Sequence, residues 1–126
     1  MRRRLFIIGV RADLPSIYAK NILDLDTYKK RLTLSQFLNR SFEKNFAYTI
    51  RCGGRNSPIL DKHNWDGYFI DGKEYRLTIE DCLKLQGFDA NFQIYGTKKE
   101  QWTLVGNTIP TVLTKILGLK IFFPTS

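Results

Sequence analysis

The 126-residue sequence predicts a mixed α/β chain, and three observations carry that prediction. Residues 5–10 form a continuous apolar run, β-branched in part, of the kind that makes a buried strand. Asp71-Gly72-Lys73 separates two segments rich in β-formers, residues 68–70 and 74–76. Glycine supplies the positive φ of a tight turn, so this pair reads as a hairpin. Thr78-x-x-Asp81, and an apolar stripe of Val112, Leu113, Ile116 and Leu117, then signal two helices.

Along the chain, the strand at 5–10 leads into a polar stretch, residues 14–32, with no clean period. Asp24, Asp26 and Lys29-Lys30-Arg31 make that stretch a solvated connection. Residues 33–38 (TLSQFL) predict a short helix, with Thr33 and Ser35 competing as its cap. Residues 46–51 (FAYTIR) are β-formers and predict a strand that opens into the loop Cys52-Gly53-Gly54-Arg55-Asn56-Ser57-Pro58. After the hairpin, Thr78 begins a helix whose first turn holds Glu80 and Asp81, as the helix dipole favours. Gly87 is placed to end it. Asn107 or Thr108 is expected to cap the last helix, with Pro110 in its first turn and Gly118 as its stop. Residues 119–123 are left as a short strand or an apolar tail.

A chain of this length holds one domain or a piece of one. No apolar run reaches the ~18–20 residues of a membrane span. The opening MRRRLFIIGV imitates a signal peptide, but Arg11 and Asp13 follow where a small-residue cleavage site would stand, so a cytoplasmic protein without membrane partners is expected. Cys52 and Cys82 form no disulfide framework, and with the single His63 they are too few for a usual zinc set. Free thiols and no metal are therefore expected. The charge is uneven. Residues 1–62 carry 13 Lys/Arg against 5 Asp/Glu, whereas residues 63–126 carry 7 of each. A basic half suits a polyanion such as nucleic acid, because phosphate contacts release counterions; a solvated basic surface is the plainer alternative.

The run Arg76-Leu77-Thr78-Ile79-Glu80-Asp81-Cys82-Leu83-Lys84-Leu85-Gln86-Gly87-Phe88, with Gln101-Trp102 and Gly106-Asn107-Thr108-Ile109-Pro110 after it, resembles the last two motifs of DNA (cytosine-5) methyltransferases. The start fits as well, since Arg2-x-Arg4-Leu5-Phe6-Ile7-Ile8-Gly9 is similar to that family's Gln-x-Arg-x-Arg motif and the strand after it. Its leading Gln would precede Met1. The resemblance covers nearly the whole chain, most thinly over residues 14–45. Asp81, Lys84 and Asp89 stand where the family commonly has Glu, Arg and Pro, and Thr103-Leu104 where it has Lys-Gln.

The resemblance implies the C-terminal fragment of a Rossmann-like bacterial methyltransferase of the restriction-modification kind. Residues 1–13 would be a catalytic-domain strand. Residues 14–75 would be a small, mainly β target recognition region, and residues 76–126 the recognition-lobe helix and the return to the catalytic domain. Arg2 and Arg4 would hold the target cytosine and its phosphates. Thr49-Ile50 resembles the family's Thr-Leu pair, so Thr49, Arg51, Gly53, Gly54, Arg55, Asn56 and Ser57 would bind double-stranded DNA. Glycines permit close approach there, Arg forks onto guanine and Asn pairs with adenine. Gly106, Asn107 and Thr108 would touch the methionine end of S-adenosylmethionine, as the free N–H groups of a helix start suit a carboxylate. His63-Asn64-Trp65-Asp66-Gly67-Tyr68 would be a second recognition element, with Trp65 and Tyr68 as packing residues.

The family's nucleophile is a Cys after Pro, whereas Arg51 precedes Cys52 and Asp81 precedes Cys82. No catalytic residue is therefore assigned, and the chain alone is expected to be inactive. The cofactor would be shared with a separately encoded or missing catalytic portion. The alternatives are a truncated remnant and a non-catalytic sequence-specific DNA-binding module.

Overall fold

The computed structural model describes residues 11–13 and 32–122, with side chains through Lys120. The strand expected at 5–10, the connection up to residue 31, and Arg2 and Arg4 lie outside the described residues. Leu32–Pro110 forms one compact unit. It contains α1 (Leu34–Leu38), β1 (Gly67–Ile70), β2 (Lys73–Arg76), α2 (Ile79–Leu85) and α3 (Lys98–Asn107). A last helix, α4 (Thr111–Phe122), belongs to a second unit. The described chain is thus a mixture of helices with one two-stranded sheet.

Thr33 wins the competition to cap α1. Its hydroxyl accepts from the Gln36 amide while the Gln36 side chain accepts from the Thr33 amide, at 3.2 and 3.0 Å. Ser35 instead exchanges two hydrogen bonds with the Phe42 backbone. β1 and β2 pair antiparallel as the Asp-Gly signal predicts, with Ile70 opposite Lys73. Asp71 and Gly72 both hold positive φ, 49° and 73°, which is the type I′ geometry that matches strand twist.

The α2 prediction is met at both ends. Thr78 and Asp81 complete a capping box with reciprocal bonds of 3.1 Å, so Asp reaches far enough to replace Glu. Gly87, at φ 86°, ends the helix. The Phe88 amide then donates back to the Leu83 carbonyl and the Gly87 amide to that of Lys84, a Schellman closure.

Three expectations are corrected, and one element is added. Residues 46–51 join no ladder. One edge of β1 is taken by β2, and the other by the Phe42–Ile70 bridge and the Glu43 amide bonded to Phe69. Strand propensity without a free partner edge makes no strand. Residues 98–107, given no element above, form α3, opened by a capping box of Thr97 and Glu100. Asn107 and Thr108 close α3 rather than cap α4: Asn107 is its last residue and Thr108 its C-cap. Lastly, α4 runs through Gly118 to Phe122, so residues 119–122 are neither strand nor tail.

The core of the 32–110 unit gathers Leu34, Leu38, Phe42, Ile50, Trp65, Tyr68, Leu77, Ile79, Cys82, Leu83, Trp102 and Val105. Trp65 and Tyr68 are packing residues, as expected from the sequence. Edge-on rings tie the layers together, Phe42 against both Tyr68 and Tyr75, and Trp65 against Trp102. Leu83 is buried, and Leu85 and Phe88 pack at its margin.

Candidate nucleic-acid interface

Residues 51–57 leave the core at buried Ile50 and run as an exposed loop, with only Ser57 partly covered. Two backbone groups pin it. The indole N–H of Trp65 donates to the Gly53 carbonyl at 2.9 Å. The Asn56 amide donates to both carboxylate oxygens of Asp66 at 3.2 Å. Between these pins, the Ser57 hydroxyl donates to the Gly54 carbonyl and closes a turn. Gly54 and Asn56 hold positive φ, 77° and 65°, so the chain doubles back on either side of Arg55. Glycine suits the first position, and Asn tolerates the second.

Asp66 is 1 % exposed, and a charge so buried needs partners. Arg76 supplies one at 3.1 Å, and its other nitrogens reach Glu74. The loop amide, the buried carboxylate and the β2 guanidinium thus form one network. Arg76 acts here in support of the loop. The role of Asp66 was missed; a lone acid before a glycine carries no local signal of what it will bind.

The structure brings the residues expected to bind DNA against those expected to touch the cofactor. Gly106 of α3 is buried on the loop backbone: a Cβ there would lie 2.2 Å from the Cys52 nitrogen and 2.5 Å from the Arg51 carbonyl carbon. The Cys52 thiol donates to the Asn107 side-chain oxygen at 3.7 Å. The Thr108 hydroxyl turns back to the Leu104 carbonyl at 2.8 Å. Gly106 therefore serves loop packing, and Asn107 holds its amide at an exposed helix end. A helix C-terminus directs carbonyl groups outward, so the free N–H groups expected at these residues are not what they present.

Thr49 is half-buried beside Ile50, and the Tyr48 amide donates to the Tyr68 hydroxyl at 2.9 Å. Arg51 and Arg55 are exposed. The Arg55 guanidinium lies 4.3 Å from the centre of the Trp102 ring. His63 is exposed, while Asn64 is buried and clasps Gly67 through both amide atoms. A second polar knot joins the hairpin to α2, where the Tyr75 hydroxyl donates to Asp81 at 2.5 Å and Arg40 contacts both.

Burial pushes the Cys82 thiol up to about 12, and neighbouring acids push the same way, so it stays protonated and inert. Tyr68, buried likewise, is also raised to about 12. Cys82 is thus a core residue, in keeping with the absence of a proline before it.

Among the described residues no helix is long and apolar enough to cross a membrane. Residues 44–122 match the family model for the C-5 cytosine-specific DNA methylases. The Type II methyltransferase M.FnuDI of Fusobacterium nucleatum is 34% identical over 86 residues, 60% of this chain and 25% of that protein. Type II methyltransferase M.MthTI of Methanothermobacter thermautotrophicus is 30% identical over 101 residues, 69% of this chain and 31% of its own length. DNA (cytosine-5)-methyltransferase 1 of Gallus gallus is 26% identical over 80 residues, 5% of that protein. No solved structure gives a significant match. The aligned parts of the two Type II relatives are about a quarter to a third of their lengths. With the family model spanning more than half of its residues, this chain belongs to the C-5 cytosine-specific DNA methylases.

Proposed function

We propose that this chain is the DNA-recognition portion of a cytosine-5 DNA methyltransferase and that methyl transfer requires a further portion carrying the nucleophile. One observation carries the reading: the loop at 51–57 is exposed, pinned by its backbone to buried Trp65 and Asp66, and presents two arginines and an asparagine. A fixed backbone with free cationic side chains is the form that reading a groove demands, since it limits the entropy lost on binding. Thr49 sets the entry of the loop, and Arg51, Gly53, Gly54, Arg55, Asn56 and Ser57 form the contact surface. Residues 1–13 would supply a strand of the catalytic domain, with Arg2 and Arg4 as contacts to the target cytosine and its phosphates.

S-adenosylmethionine, when bound, supplies the methyl group. Asn107 fits its methionine end in one respect. Its oxygen is engaged by the Cys52 thiol, which aims the amide nitrogen outward as a donor for a carboxylate. Gly106 and Thr108 support this by packing and by closing α3. Neither cysteine is placed for attack on cytosine, since Cys82 is buried and protonated and Cys52 sits within the recognition loop.

Incubating the purified chain with duplex DNA and labelled S-adenosylmethionine tests the division of labour. We expect sequence-dependent duplex binding that weakens steeply with salt and no methyl incorporation. Adding a catalytic portion that carries the nucleophile is expected to restore incorporation. Methylation by the chain alone would refute the proposal. Binding that no added catalytic portion converts to methylation would favour a non-catalytic DNA-binding module.

A further inference from the structure

We infer that Trp102 is a positioning residue that holds Arg55 ready to grip a paired acceptor on DNA, either the O6/N7 edge of guanine or two oxygens of a phosphate. This rests on the DNA-recognition reading above. Arg55 sits at the turn of the loop, between the positive-φ residues Gly54 and Asn56 and between the backbone pins at Gly53 and Asn56. Its Cα is therefore held firmly. Its side chain forms no hydrogen bond or ion pair with any described residue, and its guanidinium rests over Trp102 at 4.3 Å.

A ring face attracts the cation but accepts no conventional hydrogen bond, so the guanidinium is oriented while its donors stay unspent. An exposed Arg without such support would lose more of its rotamer freedom on binding. Trp102 is itself rigid, being 8% exposed and packed edge-on against Trp65 at 6.0 Å. Trp65 in turn holds the Gly53 carbonyl. The two tryptophans thus brace the same turn, one through its backbone and one through its tip.

The test uses the full 126-residue chain and duplexes selected by it from a randomised pool, with affinity read by anisotropy over a salt series. Trp102→Leu is expected to weaken binding about 3- to 10-fold, Trp102→Phe to retain most of it, and Trp102→Leu to add nothing in an Arg55→Gln background. If guanine is the acceptor, Arg55→Gln flattens the preference at one base position. If phosphate is, it weakens all duplexes alike and lowers the salt slope by about one. Unchanged affinity in folded Trp102→Leu, or effects that add with Arg55→Gln, would overturn the inference while leaving DNA recognition intact. Absence of duplex binding by the unaltered chain would overturn both. Should Trp102→Leu fail to fold, the ring-current shift decides: Arg55 side-chain protons displaced upfield in the unaltered chain support the contact, and random-coil shifts refute it.

Discussion

Gly106 is the residue at which helix and loop meet most closely. A Cβ there would fall on the Cys52 nitrogen, a backbone atom that no rotamer change can move aside. Gly106→Ala should therefore cost about 1–3 kcal/mol even though alanine is the better helix former, a sign opposite to propensity. Urea denaturation measures it; a stabilised Gly106→Ala chain would show that the contact is not as described. The sequence marks this glycine as part of a Gly-Asn-Thr element but not its purpose. Its partner lies more than fifty positions away, where no local pattern reaches. Asp66 is illegible for the same reason, since its two partners come from a loop before it and a strand after it. Trp65, Tyr68 and the Asp81 cap were readable because their roles are apolar or local.

At the level of elements, the signals that depend on neighbours in the chain were legible and those that depend on distant partners were not. The hairpin turn, the α1 and α2 caps and the glycine end of α2 are all fixed within a few residues. Residues 46–51 carry strand composition, yet whether they pair is decided by the occupied edges of β1. α3 is hidden because its Asn107-Thr108 end reads as the cap of the next helix, although Thr97-x-x-Glu100 is as clear a capping box as that of α2. α4 departs in another way from the sequence reading, which makes Gly118 a stop. Gly118 does not hold positive φ, and a Cβ there meets no described atom within 4 Å. Gly118→Ala is expected to raise stability by about 0.5–1 kcal/mol and to strengthen helical circular dichroism. Loss of helical signal would mean that the helix does end at this glycine.

Across the whole molecule, the described residues divide into a self-contained unit and a helix that belongs elsewhere. Among the described residues, every member of the buried core lies between Leu34 and Val105, and the buried side-chain polar atoms all have partners. Residues 32–110 should therefore fold when expressed alone, with a cooperative thermal transition and with Trp65 and Trp102 shielded from acrylamide quenching. A gradual melt with quenchable tryptophans would show that the unit depends on the remainder. α4 leaves Val112 and Leu119 exposed, as the 32–110 unit leaves Leu60 and Tyr95. The manner in which the unit carries its loop has a further consequence. The pins take hold of main-chain groups, the Gly53 carbonyl and the Asn56 amide, and the side chains that do the holding lie outside the loop. Side chains at positions 51 and 55 can then be exchanged while the scaffold stays in place. Such a loop lends itself to retargeting: new base preferences can arise by point substitution, in natural drift or in the laboratory, without the protein having to relearn its fold.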